Sequence, residues 1–281
     1  MAAVVMDGKA LAAEMKEQVR LRTEQMTRRP GMAVVLVGED PAALAYEAGK
    51  RKDCQACGIY YDTFRLPSEV CQEDLLGVID TLNRREDIDG ILLLLPLPGH
   101  LDEKAALLAI RPDKDVDCVN PANLGQLLLG GGSLRPCTPA GVMRLLEAYH
   151  IDPAGKRCVV VGRSHVVGKP QALLLLEKNG TVTICHSRTP DLAAECRRAD
   201  ILVSAAGRPG LITGDMVKEG AVVIDVAMNR NAQGKLCGDV DYEAAAEKAA
   251  WITPVPGGTG PVTRAVLMEQ VLSAALDHGK G

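Results

Sequence analysis

Aromatic side chains are nearly absent from this 281-residue chain, which has one Trp, one Phe and five Tyr. Its core must therefore be aliphatic, and a hydrophobic content of 47% is enough to build a sizeable one. The scarcity also argues against nucleic-acid binding by base stacking. No basic run stands out and the net charge is -4, so no nucleic-acid surface is expected. No apolar run approaches the roughly 18 residues of a membrane span. The N-terminus is not a signal peptide, because Asp7 and Lys9 interrupt any apolar region. The expectation is a soluble, cytoplasmic protein with no membrane or nucleic-acid partner. Its length suits two medium domains or one large one.

The nine cysteines are an odd number scattered among apolar neighbours, as expected of reduced thiols packed as small hydrophobes. Cys54-Gln-Ala-Cys57 has CxxC spacing, but no second pair completes a zinc site, so no metal is expected. Cys118, beside Asp117, is the first candidate for a reactive thiol.

Helical and apolar-strand patterns alternate. Helices are predicted at 9–27, 41–57, 69–84 and 102–110, with buried strands at 32–38 and 90–95 and a further strand at 60–66. Strands joined by helical crossovers imply a parallel α/β sheet. A linking helix at 138–150 precedes a second α/β unit. That unit has strands at 157–162, 181–186, 200–205, 221–226 and 251–253, and helices at 166–178, 190–197 and 213–218. This is a Rossmann-type dinucleotide-binding pattern in the C-terminal half. A last helix, about 262–277, is expected to return to the first domain.

Cys158-Val-Val-Val-Gly162 reads as a buried strand. The following Gly162-Arg163-Ser164-His-Val-Val167-Gly168 opens a helix whose N-terminus suits a phosphate. Ser164 holds the second glycine position of the usual fingerprint, and an ordinary strand–helix turn remains the alternative. The next strand ends in Ser187 and Arg188, about 25 residues on, where an NAD site would place a carboxylate. With Arg163, these side chains suit a 2′-phosphate and favour NADP, unless both arginines simply face solvent.

Tyr46 and Lys50 stand at i, i+4 on one helix face. The pair suits proton transfer if burial lowers the lysine pKa; otherwise it is an exposed pair on a charged helix. YxxxK also marks short-chain dehydrogenases, but those place the nucleotide turn first, and here the order is reversed. Asp117 follows a polar turn. It could bind the NH groups of a heterocycle such as a pterin, or simply remain solvated.

Several motifs occur in one order: Tyr46-x-x-x-Lys50, Asp89-Gly90-Ile91 leading to Leu95-Pro96-Leu-Pro98, Pro112-x-Lys-Asp-Val-Asp117, Arg135-Pro-Cys-Thr-Pro139, the Gly162–Pro170 turn, and Pro254-Val-Pro256-Gly257-Gly258-x-Gly-Pro261. Together they resemble the methylenetetrahydrofolate dehydrogenase/cyclohydrolase family, of the bacterial bifunctional FolD type, from end to end. The resemblance implies two α/β domains with the active site in the cleft between them. One is a folate-binding catalytic domain (1–140 plus a C-terminal helix, 262–281). The other is an NADP-binding Rossmann domain (141–261), through which such chains usually form homodimers. It implies NADP-dependent oxidation of 5,10-methylenetetrahydrofolate and hydrolysis of the methenyl product to 10-formyltetrahydrofolate, in one-carbon metabolism. By resemblance, Lys50 is the acid/base of hydrolysis, Tyr46 lies against the pterin and Asp117 anchors it. Leu94, Leu95 and Pro96 line the folate site, and Pro256, Gly257 and Gly258 close over the folate. Gly162, Arg163, Ser164, Val167, Gly168, Ser187 and Arg188 hold the cofactor, with Met228 near the nicotinamide.

The departures from the family pattern cluster in the folate half: Leu94 for Gln, Ala43 for Ser, Cys118 for Gly, and Val119 and Asn120 for an aromatic and His. In the cofactor half, Ala227 replaces a Gly. Leu94 cannot hydrogen-bond Lys50, which would dry the lysine and remove its orientation. This opens the alternatives of a dehydrogenase with impaired hydrolysis, a silent folate- or NADP-binding protein, or an NADP dehydrogenase of another substrate. Cys118 would strain its turn if that position needs a positive φ.

Overall fold

The computed structural model describes residues 2–279, with the side chains of residues 41, 42 and 45 outside the description. The first half contains β1 (Val4–Val5), α1 (Gly8–Thr23), β2 (Gly31–Val37), α2 (Pro41–Ala56), β3 (Tyr60–Leu66), α3 (Gln72–Arg84), β4 (Gly90–Leu93), α4 (Glu103–Ala109) and α5 (Pro121–Leu128). The second half contains α6 (Cys137–Ala148), β5 (Arg157–Val161), α7 (Gly168–Glu177), β6 (Thr181–Cys185), α8 (Leu192–Arg197), β7 (Ile201–Ser204), β8 (Val222–Asp225), β9 (Asn229–Arg230), β10 (Leu236–Cys237), α9 (Tyr242–Ala246), β11 (Trp251–Ile252) and α10 (Thr259–His278).

These elements form two compact units. One comprises Ala13–Cys137 with Arg264–Gly281, the other Met1–Ala12 with Thr138–Thr263. The expected division put residues 1–12 with the catalytic half, whereas residues 2–12 group with the nucleotide-binding half in the fold. The Val4 NH donates to Ala250 O and the Met6 NH to Ile252 O, each at 2.8 Å, so β1 extends the nucleotide-unit sheet beside β11. Met1, Lys280 and Gly281, inside the expected ranges, lie outside the described residues.

The first of these units holds a parallel three-stranded sheet in the order β3-β2-β4. The central strand β2 is buried at every residue, as its unbroken apolar run requires. Alternate residues face opposite layers. Ala33, Val35 and Val37 pack with Leu75, Ile79 and Leu82 of α3. On the other side the Cys54 thiol of α2 lies 3.7 Å from the sulfurs of Met32 and Met268. The second unit carries six parallel strands in the order β1-β11-β8-β7-β5-β6, a doubly wound arrangement.

Several elements differ from the sequence expectation. The predicted strand 90–95 ends at Leu93, and the predicted helix 213–218 is one 3-10 turn, Gly214–Met216. Helix α5 has no counterpart in the expected pattern. Its start is set by Asn120, whose side chain accepts from the Ala122 NH, and by Pro121 at the first helical position. Strands β1, β9 and β10 are two residues each, too short to show a period. Among the described residues no helix is long and apolar enough to cross a membrane, and no Cys/His/Asp/Glu cluster could hold a metal.

Candidate active site

Asp40 starts α2 by accepting the Ala43 NH at 2.8 Å, and this sets the helical register of Tyr46, Gly49, Lys50 and Asp53. Lys50 Nζ lies 5.1 Å from the centre of the Tyr46 ring, so the i, i+4 spacing does bring the two together. The helix also presents Glu47 and Asp53, two buried carboxylates. Glu47 accepts from Tyr61, Thr63 and Arg51. Asp53 accepts from Lys16 Nζ at 3.0 Å and Arg264 Nε at 2.6 Å. The charged run Lys50–Asp53 is therefore not uniformly solvated.

Asp117 stands on a turn built around the buried Asp115. The Asp115 carboxylate accepts the Val119 and Asn120 NH groups and the Asn123 amide, and its carbonyl accepts the Cys118 NH. The turn closes through Cys118 at φ 56, a left-handed conformation that glycine adopts freely and other residues adopt at a cost of about 1–3 kcal/mol. Cys118 is fully buried and burial pushes its thiol up to about 12. The expectation of a reactive Cys118 is thereby corrected, since reactivity needs the thiolate. The buried thiol of Cys137 donates to Val116 O at 3.3 Å. Gln270 Nε2 donates to the same carbonyl at 2.6 Å and to the Cys137 sulfur at 3.1 Å.

Lys50, Asp117 and Cys137 influence one another. Burial lowers the Lys50 pKa and Arg264 lowers it further, while Asp117, Cys137 and Asp53 pull it upward. Burial raises the Asp117 pKa, as does Asp115, against the Cys137 thiol and Lys50. Burial also raises the Cys137 thiol well above its ordinary value. Lowering the pKa of a lysine moves its amine toward the neutral form that can take a proton.

Leu94 is buried, with its NH donating to Val35 O at 2.9 Å, whereas Leu95 and Pro96 are exposed and joined by a cis peptide.

In the nucleotide unit, β5 runs into Gly162 at φ 133, where a Cβ would stand 2.3 Å from Ala205 O. A Cβ on Gly168 would stand 2.2 Å from Gly162 O, so α7 approaches the turn as closely as only glycine permits. The Ser164 hydroxyl accepts the Val167 and Gly168 NH groups at 3.1 and 3.3 Å. The serine in the second glycine position thus caps the start of α7. Arg163, Ser187 and Arg188 are all exposed, beyond the carboxyl ends of the paired strands β5 and β6. These features fit a dinucleotide: a glycine-lined turn at a helix N-terminus, with guanidiniums and a hydroxyl where a 2′-phosphate is read.

Gly257 has φ 110, and a Cβ on Gly8 would stand 1.7 Å from Gly258 O. The Pro/Gly loop therefore folds against the start of α1, within one unit. Met228 is half exposed after β8.

Two domain models of one family match, one to each half. The catalytic domain of tetrahydrofolate dehydrogenase/cyclohydrolase matches residues 6–117, and its NAD(P)-binding domain matches residues 136–279. The chain belongs to the tetrahydrofolate dehydrogenase/cyclohydrolase family. It is 56% identical over 280 residues to the bifunctional protein FolD of Moorella thermoacetica, covering 98% of this chain and 99% of that one. Among solved structures, the bifunctional FolD enzyme of Campylobacter jejuni superposes with a TM-score of 0.96 at 44% identity, over 98% of this chain and 99% of that one. The Trypanosoma brucei FolD dehydrogenase-cyclohydrolase, solved with NADP and an inhibitor, gives 0.95 at 40% identity over 100% of both.

Sequence reasoning missed several residues in this family member. Asp239 is fully buried and accepts from the Ser204 hydroxyl, the NH groups of Ala206, Gly207 and Arg208, and the Asn229 amide. It thereby shapes the loop after β7. Burial lifts its neighbour Asp225 to about 6. Asp53, Arg264 and Gln270 also went unmarked, because their partners lie far away in sequence.

Proposed function

We propose that this chain oxidises 5,10-methylenetetrahydrofolate with NADP and hydrolyses the resulting methenyl cation to 10-formyltetrahydrofolate. The observation that carries this reading is Lys50, depressed in proton affinity beside Tyr46, Asp117 and Cys137. Hydrolysis needs a base to take a proton from the attacking water and an acid to protonate the departing ring nitrogen. An amine that takes the proton from water and returns it to the ring nitrogen serves both steps. Tyr46 offers a ring face to the pterin, and the Asp117 carboxyl offers acceptors to its NH groups. Leu94, Leu95 and Pro96 supply apolar walls. Bound NADP supplies the hydride acceptor. Gly162, Ser164, Val167 and Gly168 would hold its pyrophosphate, Arg163, Ser187 and Arg188 its 2′-phosphate, and Met228 would flank its nicotinamide.

The 56% identity to a protein named as bifunctional favours two activities over a dehydrogenase alone or a silent binder. Two further readings are a homodimer and a cytoplasmic location. The first is supported by β6, an edge strand that exposes Thr181, Thr183 and Ile184, and the second by nine free thiols.

A paired assay on the purified protein tests the function. One arm follows NADP-dependent oxidation of methylenetetrahydrofolate, the other the decay of added methenyltetrahydrofolate against buffer. Both are expected to proceed. Oxidation alone would reduce the reading to a dehydrogenase, and neither would leave only the fold.

A further inference from the structure

Arg264 reaches α2 from the start of the α10 segment that belongs to the catalytic unit. Its guanidinium lies flat on the helix where Gly49 has no side chain. A Cβ there would stand 3.2 Å from Cζ and 3.3 Å from both terminal nitrogens. One of those nitrogens donates to the Gly49 carbonyl at 2.8 Å, and Nε donates to the Asp53 carboxylate at 2.6 Å. Lys16 Nζ holds the other Asp53 oxygen at 3.0 Å. Arg264 thus bridges the backbone just before Lys50 to the side chain one turn after it.

We propose that Arg264 is a positioning residue for Lys50: seated on Gly49 and clamped to Asp53, it fixes the turn of α2 from which the lysine acts. The proposal rests on the reading of Lys50 as the acid/base of hydrolysis. It supplies what Leu94 cannot, a polar anchor for the turn that carries the lysine. The guanidinium also brings a fixed positive charge beside the amine. The charged and titratable groups acting on Lys50 are Asp117 from the turn before α5, Cys137 from α6, Arg264 from α10 and Asp53 on its own helix. Arg264 is the cation among them, and it favours the neutral amine that a base requires.

Three variants test this: Arg264→Met removes the charge and the clamp, Arg264→Lys keeps charge without the planar fork, and Gly49→Ala sets a Cβ 3.2 Å from Cζ, so that the guanidinium must shift by a few tenths of an ångström on its seat. Alanine is the better helix former, so Gly49→Ala does not depend on a weakened helix for its effect. Two quantities are read. One is the ratio of hydrolysis to oxidation, with the pH profile of hydrolysis. The other is the pH midpoint of Lys50 acylation by an amine-reactive ester, followed by mass spectrometry, which needs no turnover. In Arg264→Met the ratio is expected to fall about tenfold, and both midpoints to move to higher pH. In Arg264→Lys the midpoints stay near wild type while the ratio still falls. Gly49→Ala lowers the ratio in the same direction as Arg264→Met.

An Arg264→Met midpoint equal to wild type overturns the proposal, as does a parallel loss of both activities with melting temperature. Wild-type protein that oxidises without hydrolysing refutes the bifunctional reading instead. In that case the acylation midpoint still decides whether Arg264 acts on Lys50.

Discussion

Lys50 Nζ stands 5.1 Å from the centre of the Tyr46 ring, one turn earlier on α2. The ring face attracts the ammonium, whereas burial favours the amine. The two act in opposite directions on the lysine, and burial, the larger influence, lowers its pKa. The acid/base proposed for hydrolysis must take and return a proton within one catalytic cycle, and a lowered pKa eases that exchange.

Lys50→Met should lower the rate of methenyltetrahydrofolate hydrolysis about 100-fold or more. In the wild type, hydrolysis should rise with pH as the ammonium deprotonates, with a midpoint below the ordinary lysine value of about 10.4. In the variant that limb should flatten to the buffer slope. A limb that survives unchanged would assign the base to another residue.

Leu94→Gln should raise hydrolysis. An amide able to bond the lysine head adds roughly 1.5–3 kcal/mol, about one to two decades in rate if the bond is made only in the transition state. The comparison is single-turnover decay of the methenyl cation in the two proteins. An unchanged rate would show that Arg264 and Asp53 already hold Lys50 well enough.

Asp89 gives a test of stability against pH. Burial would raise its pKa, but Arg28 (2.7 and 2.9 Å), His278 (3.0 Å) and the Gly31 NH (2.8 Å) together hold it below the usual carboxylate value. A depressed folded pKa contributes stability that is present above the unfolded value of about 3.9 and lost as pH falls through the folded value. Asp89→Asn should therefore cost about 2 kcal/mol or more at pH 7, and the gap should close below about pH 4. Urea unfolding at a series of pH values reads both. A gap independent of pH would mean that shape, and not charge, is what Asp89 contributes.

Local chemistry made much of this legible in the sequence. Buried strands announced themselves as apolar runs, as in Met32–Val37 and Cys158–Val161. The Tyr46–Lys50 pair followed from helical spacing, and the close-packed glycines at 162 and 168 from the strand–turn–helix pattern. What stayed hidden depends on residues distant along the chain. Arg264 and Asp53 are separated by 211 positions, and Gln270 and Val116 by 154. The assignment of β1 to the nucleotide unit rests on its pairing with β11 near the far end of the chain. Two-residue strands carry no period, so only the fold reveals them.

Cofactor choice can be separated from cofactor binding. Arg163 and Arg188 are exposed beyond adjoining strand ends, whereas Gly168 lies under the turn itself. If the arginines read a 2′-phosphate, Arg188→Ala should remove roughly 1.5–3 kcal/mol of charged hydrogen bonding. The Kd for NADP then rises about 10- to 100-fold, with the Kd for NAD little changed. Arg163→Ala should act in the same direction. Gly168→Ala should instead weaken both cofactors alike, because its Cβ would stand 2.2 Å from Gly162 O and force the shared turn apart. Isothermal titration of each variant with both cofactors distinguishes the two patterns. Equal losses for NADP and NAD in Arg188→Ala would mean that the guanidinium contributes only general attraction for anions. The preference for NADP would then have to come from another group at that strand end, such as the Ser187 hydroxyl.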